Sequence, residues 1–292
     1  MANTNIYIDP SAATNGSGTI NSPYNTTAGF STLQSKSYLL KSGTTINEDL
    51  GLLLNGDNNL IGMYGTGAKP IIDRSAALTG MTYNGTYDIW QKSLATAQFG
   101  HVQEDGIPLK AIYWNATNDI ATVGPLMTPG SFSFDNTNQI VYVKPSSGLI
   151  TDHSYRYANG LYCVRTTNAN KNNTIIDVDI TGASRHGIQL YYKTNLKIQN
   201  VGGGKHGGYW ESGITAYLGN GIEVSAGCIG VQILECEQND IWDSAFTTQL
   251  YETTAATARS HEYRNVKSKR FGLAGVEISI PGIDANQTIQ DV

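Results

Sequence analysis

Charge is scarce in this chain. Only 15% of its 292 residues are charged, with 19 Lys plus Arg against 24 Asp plus Glu, for a formal charge of -5. So weak a negative total gathers neither nucleic acid nor an anionic membrane surface, and neither is expected as a partner. A local basic patch can still sit inside that total, which leaves acidic polysaccharides open. Cysteine is nearly absent: Cys163, Cys228 and Cys236 cannot build a disulfide framework, there is no CxxC pair, and the five histidines lack zinc spacing. The three thiols read as small buried groups. No apolar run approaches the roughly 20 residues that a membrane helix needs, so membrane insertion is not expected. The opening MANTNIYIDPS has neither the basic nor the apolar part of an export leader. Clean helical periodicity is missing too. The best helix candidate is TLQSKSYLL (32–40), expected as a cap over the first coil.

What is present favours turns and strands. Glycine reaches 32 residues and tyrosine 17, and Asn and Thr recur throughout. Hydrophobic residues still make up 40% and come in short regular bursts, which argues against disorder. IYI (6–8) reads as a first strand, followed by Asp9-Pro10 and a Gly/Ser/Asn loop. LGLLL (50–54), LIGMYG (60–65) and PIID (70–73) follow as strands, broken by Asn55-Gly56 and Thr66-Gly67. Residues 74–156 interrupt this rhythm with AIYW (111–114) and the hairpin signal FSFD–NTN–QIVYVK, and are expected to be a small antiparallel excursion. The expected organisation is an opening strand and cap (1–43), first coils (44–73), the excursion (74–156) and further coils (157–292). The last residues, ANQTIQDV, read as the start of one more coil, so the natural chain is expected to continue.

Five segments align as one recurring strand: GLYCV (160–164), HGIQL (186–190), NGIEV (220–224), AFTTQ (245–249) and AGVEI (274–278). Their centres lie 26, 34, 25 and 29 residues apart, with a second burst such as NTIIDVDI (173–180) or GVQILEC (230–236) in each interval. A strand as short as GIEV cannot bury its own faces. Stacked in parallel about 4.8 Å above its equivalent, it satisfies its backbone and adds Ile222 to a continuous core. The fold expected is therefore all-β, a right-handed single-stranded parallel β-helix with an inserted antiparallel region; a β-sandwich is the rival. Ile188, Ile222 and Ile233 are expected inside, and Asn173, Asn195 and Asn200 are placed for stacked amide ladders.

NIYIDPSAATNGSGTINSPYNT (5–26) resembles the opening of pectate-lyase-like right-handed β-helix proteins, and GNGIEVSAGCIGVQILECEQNDIWDSAFTTQ (219–249) resembles their coils. The leaderless start looks most like bacteriophage tail or tailspike proteins of this architecture. The resemblance implies a virion protein that binds, and in some cases depolymerises, host surface polysaccharide, assembled as a homotrimer. Its alternatives are a secreted polysaccharide lyase or glycoside hydrolase, and a non-catalytic adhesive or structural fibre module.

Hydrolysis of a glycosidic bond needs paired carboxyl groups. Asp243, after Ile241-Trp242 at a coil corner, is the sharpest candidate; its alternative role is a turn cap accepting backbone N–H groups. Glu223 in NGIEV is expected to point outward, with Glu277 in AGVEI at a comparable place. Such recurring carboxylates would bind sugar hydroxyls or Ca²⁺, and no other cofactor is implied. GGGKHGGYWESG (202–213) reads as a flexible insertion. Within it Tyr209 and Trp210 would stack on sugars, with Trp242 nearby, while Lys205, His206 and Glu211 would supply charge and acid–base chemistry; the alternative is Trp210 packing the loop down. A lyase would instead use Arg185-His186 or Lys205-His206, helped by Tyr191 or Tyr192. The 202–213 segment and the 240–249 corner are expected to flank one groove.

Overall fold

The computed structural model describes residues 3–28, 30, 33–95, 98–114, 119–211, 216–249, 260–279 and 288–290. Three parallel sheets wrap one core. The first runs from Thr4–Ile8 through Lys36–Lys41, Leu60–Tyr64, Thr174–Ile176, Lys197–Gln199, Gln232–Leu234 and Glu262–Arg264 to Thr288–Gln290. The second holds Thr45–Ile46, Ile71–Asp73, Asp179–Thr181, Gly202–His206, Glu237–Ile241 and Lys267–Phe271. The third holds Gly160–Thr166, Ala183–Leu190, Ile222–Val224, Phe246–Gln249 and Val276–Ser279. From Gly160 on, the coils visit the sheets in turn, and every neighbouring pair is parallel. This is the right-handed parallel β-helix.

Stacking follows side-chain periodicity. Ile188, Ile222, Phe246 and Val276 form one column, and Ile175, Ile198, Ile233 and Tyr263 another. Ile188, Ile222 and Ile233 are fully buried in a single cluster, as their pattern requires. The finer register differs from the sequence alignment. Val164, not Tyr162, faces Ile188, and the register shifts between Gly160 and Tyr162. Phe246, not Thr247, faces Ile222. Thr248 points inward as a polar member of the core, its hydroxyl 2.5 Å from Tyr263 Oη, so the apolar alternation that guides alignment is lost there.

Two local expectations are corrected. Lys36–Lys41 is a strand between Thr4–Ile8 and Leu60–Tyr64, not a helical cap; Tyr38 and Leu40 alternate into the core. LGLLL is a 3₁₀ turn rather than a strand: Asp49 caps it by accepting Gly51 N–H, and a Cβ on Gly51 would lie 1.7 Å from Arg165 O. Of Asn173, Asn195 and Asn200, Asn195 alone is seen in an amide stack among the described residues. Asn195 donates to Asn172 at 3.4 Å and Asn172 to Asn58 at 3.1 Å, all three in the left-handed region that Asn tolerates. Asn173 Oδ1 accepts from the Asn59 backbone, and Asn200 donates to Asp177 at 2.7 Å.

Between Ser75 and Ala158 the chain leaves the solenoid and builds two mainly antiparallel sheets. Ser131–Asp135 and Ile140–Lys144 form the hairpin. The insertion has its own core, with Phe99 stacked on Phe134 at 4.0 Å. It is stitched back to the solenoid where His101 N–H donates to Gly207 O at 3.0 Å. The three cysteines are free and buried. No described helix is long and apolar enough to cross a membrane.

Candidate active site on the third sheet

Because Ile188 and Leu190, like Ile222 and Val224, belong to the core, the residues between them face outward. The register places Arg165, Gln189, Glu223, Thr247 and Glu277 in one outward row, one residue per coil. Polar neighbours flank the row on both sides and bond to it.

Glu223 is fully buried. It accepts from Asn220 Nδ2 at 2.8 Å, Gln189 Nε2 at 2.9 Å and Ser225 Oγ at 2.5 Å. Burial opposes its charge; His186 when it carries a proton, and the donors Ser225, Gln189 and Asn220, outweigh that effect and hold it below the usual carboxylate range. His186 is buried beside it, with Nδ1 3.3 Å from Glu223 Oε2. That nitrogen accepts the Asn220 backbone N–H at 3.0 Å, so the ring is neutral with its proton on Nε2. Burial brings its pKa down to about 4. The ring stacks on Tyr162, and the Arg165 guanidinium lies 4.9 Å from the Tyr162 ring centre.

Glu277, only partly buried, accepts from Ser244 Oγ at 2.7 Å and Gln249 Nε2 at 3.2 Å. It sits two rungs from Glu223, about 10 Å between backbones at the usual strand spacing. Asp243, partly buried, directly precedes Ser244. Its backbone is tied down, N–H to Gly219 O and carbonyl to the N–H groups of Gly272 and Leu273. Among the described residues nothing donates a hydrogen bond to its carboxylate, so it is not the backbone-accepting turn cap that its position allowed. Burial first, then the charges of Glu277 and Glu223, raise its pKa to about 6. One face therefore carries a carboxyl that holds its proton up to about pH 6 beside two carboxyl groups engaged in hydrogen bonds.

The remaining expectations divide. Gly202–His206 is not an insertion loop but a strand of the second sheet. Gly203 and Gly204 take φ of 117° and 141°, and a Cβ on either would lie within 1.9 Å of a neighbouring carbonyl. Their role is close approach, not flexibility. His206 lies sealed in the interior, Nδ1 accepting Ala183 N–H at 3.2 Å, with burial bringing its pKa to about 3. It cannot trade protons with a substrate. Lys205 lies on the outer side of the second sheet, in a cleft shared with Asp240 and Arg270, away from the Glu223 row. Only the hairpin of Tyr209–Glu211 with Ala216–Leu218 projects. Trp210 packs on Tyr217 at 4.9 Å, and Tyr217 on Trp242 at 5.7 Å. Trp242 in turn packs against the core of the insertion. Both indoles thus join one aromatic cluster, in which Trp242 cements insertion to solenoid. Glu211 lies on the hairpin; its side chain falls outside the described residues. Arg185 lies near the site, close enough for its charge to act on His186 and Tyr162.

Gln189, Asn220, Ser225 and Ser244 were not singled out by sequence reasoning, although all four lie within or directly beside the aligned coil strands. Among the described residues no three His, Cys, Asp or Glu side chains are grouped to hold a metal ion. A cleft of about 800 Å³ on the second sheet is lined by Asp179, Glu235 and Glu237 and by Lys69 and Lys267, with Lys69 ion-paired to Asp179.

No family model and no curated protein matches this chain. Solved structures do. A glycoside hydrolase superposes with a TM-score of 0.63 at 9% identity, covering 94% of this chain and 77% of that one. XylC in complex with xylose gives 0.55 at 8% identity, covering 94% of this chain and 63% of that one. The lacto-N-biosidase of glycoside hydrolase family 136 from Eubacterium ramulus gives 0.52 at 14% identity, covering 94% of this chain and 42% of that one. The chain thus spans less than two thirds of the latter two. A tailspike protein from Pseudomonas phage LKA1 matches with a TM-score of 0.27, too low to carry an argument. At these identities the likeness is one of architecture: this chain has the right-handed β-helix fold found in carbohydrate-active enzymes.

Proposed function

We propose that this chain is a glycoside hydrolase acting on a glycan laid along the third sheet. The observation that carries the reading is Asp243, a carboxyl that receives no hydrogen bond among the described residues and whose pKa is raised to about 6 beside Glu277 and Glu223. Asp243 is the general acid, protonating the departing glycosidic oxygen. Glu277 is its partner, activating water or attacking the anomeric carbon. Glu223, sealed from solvent, touches neither and acts as a positioning residue whose charge helps keep the proton on Asp243. The two hydrolases and the xylose complex among the structural likenesses support this reading.

The lyase alternative needs a base at the sugar carbon. His186 Nδ1 is engaged by a backbone N–H, which weighs against it. The comparisons favour the enzyme over the virion reading. Incubation with a panel of soluble oligosaccharides, followed by measurement of new reducing ends, tests the proposal. Asp243→Asn and Glu277→Gln should each lower turnover about a thousandfold or more with the fold intact. Full activity in Asp243→Asn, or a product absorbing in the near ultraviolet, would overturn it. We propose a homotrimer alongside, presenting three such faces; a monomer mass by sedimentation at micromolar concentration would remove that part alone.

A further inference from the structure

The insertion carries a row of side chains that begins inside its core and ends in solvent. Paired strands place Phe132 beside Val143, Val143 beside Trp90 and Trp90 beside Tyr83. Phe132 and Val143 are buried beneath the opposing sheet, whereas Tyr83, on the edge strand Thr82–Asn84, is 54% exposed. Trp90 is half-buried against the core of the insertion, and exposure rises from it to Tyr83. The Tyr83 and Trp90 rings meet at 5.3 Å. Tyr83 is also held still: its hydroxyl donates to Asp88 Oδ1 at 3.0 Å, and Asp88 pairs through its other oxygen with Lys144 at 3.3 Å. Two clefts, of about 470 and 630 Å³, open on either side of Trp90. The first adds Asp88, Lys144 and Ser146 to the two rings; the second adds Thr79, Thr151 and Arg156 to Trp90.

We infer that this edge is a second glycan site, separate from the Asp243 groove, that holds pyranose rings against Tyr83 and Trp90. Fixed aromatic faces suit the apolar C–H face of a sugar, and preorganised rings lose little entropy when they bind. The rim mixes an acceptor with several donors, which hydroxyl-rich ligands need and a lipid does not. An extended polysaccharide caught here would be held while its chain reaches the solenoid. Only the choice of glycans as probes rests on the hydrolase reading.

The test is affinity electrophoresis through gels containing xylan, galactan, dextran or homogalacturonan, using full-length Asp243→Asn protein to suppress cleavage. At least one polymer should retard it, and adding Tyr83→Ala, an exposed residue outside the core, should weaken retardation about tenfold. Tyr83→Ala alone should leave turnover of a short soluble oligosaccharide unchanged. Trp90→Phe should give an intermediate effect while keeping the insertion packed. Equal retardation with and without Tyr83, or retardation by none of the polymers, overturns the site. Tyr83-dependent retardation without any cleavage would leave the site standing and remove the hydrolase; cleavage with Tyr83-independent retardation would do the reverse.

Discussion

Asp243 and Glu223 share one face yet hold their protons oppositely, because their neighbours differ. Glu223 is buried but receives three donors, whereas Asp243 is only partly buried and receives none among the described residues. Burial unopposed by hydrogen bonds, together with the charges of Glu277 and Glu223, leaves Asp243 protonated up to about pH 6. Since the acid must be protonated to act, kcat/KM should fall as pH rises through that value. Glu223→Gln keeps the shape and removes one of the charges raising the Asp243 pKa. The alkaline limb of the rate profile should then move to lower pH, while KM changes little. A limb that stays in place in a folded Glu223→Gln protein would disconnect the two groups.

At the scale of elements, the strand Gly202–His206 shows what packing demands of a sequence. Gly203 lies at φ 117°, and a Cβ there would come within 1.9 Å of Ile180 O, on a strand hemmed in on both sides. Gly203→Ala should therefore cost about 2 kcal/mol or more, measured by denaturant unfolding. Gly43 gives the control: its φ is 72°, but a Cβ would meet nothing within 4 Å, so Gly43→Ala should cost only about 1 kcal/mol. Equal losses would mean that close approach is not what selects glycine. The same strand explains what the sequence hides. Coils such as HGIQL and NGIEV announce themselves by apolar alternation, and through them the outward place of Glu223 and Glu277 was readable. A run of glycines has no side chains to alternate, so 202–206 passed for a loop, and Lys205 and His206 were assigned to one contact surface, whereas His206 is buried and Lys205 lines a cleft with Asp240 and Arg270. LGLLL failed for the opposite reason: uniform apolar character fits a buried turn as well as a strand. Asp243 stands out in the sequence as a candidate because a carboxylate beside Trp at a coil corner is conspicuous. Its proton affinity does not, since that depends on which side chains other coils bring within reach.

For the whole molecule, the junction between solenoid and insertion is also a store of neutral histidines. His101, from the insertion, has Nδ1 3.4 Å from Gly207 O, and His206 lies close enough for the charges of His101 and His186 to act on it. Burial lowers the pKa of His101 and His186 to about 4 and that of His206 to about 3, against 6.5 for a free side chain. Each shift is downward on a base, so between those values the unfolded chain binds protons that the folded one refuses. The contribution is therefore complete above pH 6.5 and is lost progressively as pH falls towards the folded values. By pH 5 each histidine should have withdrawn about 2 kcal/mol. His101 and His206 alone then withdraw about 4 kcal/mol, a large part of the 5–15 kcal/mol that typically separates folded from unfolded. Denaturant midpoints should thus drop steeply between pH 7 and pH 5, with the junction opening first. His101→Gln, which can still hydrogen-bond but does not titrate, should flatten that slope even if it lowers stability at pH 7. A midpoint that holds constant over this range, or an unchanged slope in His101→Gln, would show that the junction tolerates the charge and that acid sensitivity lies elsewhere.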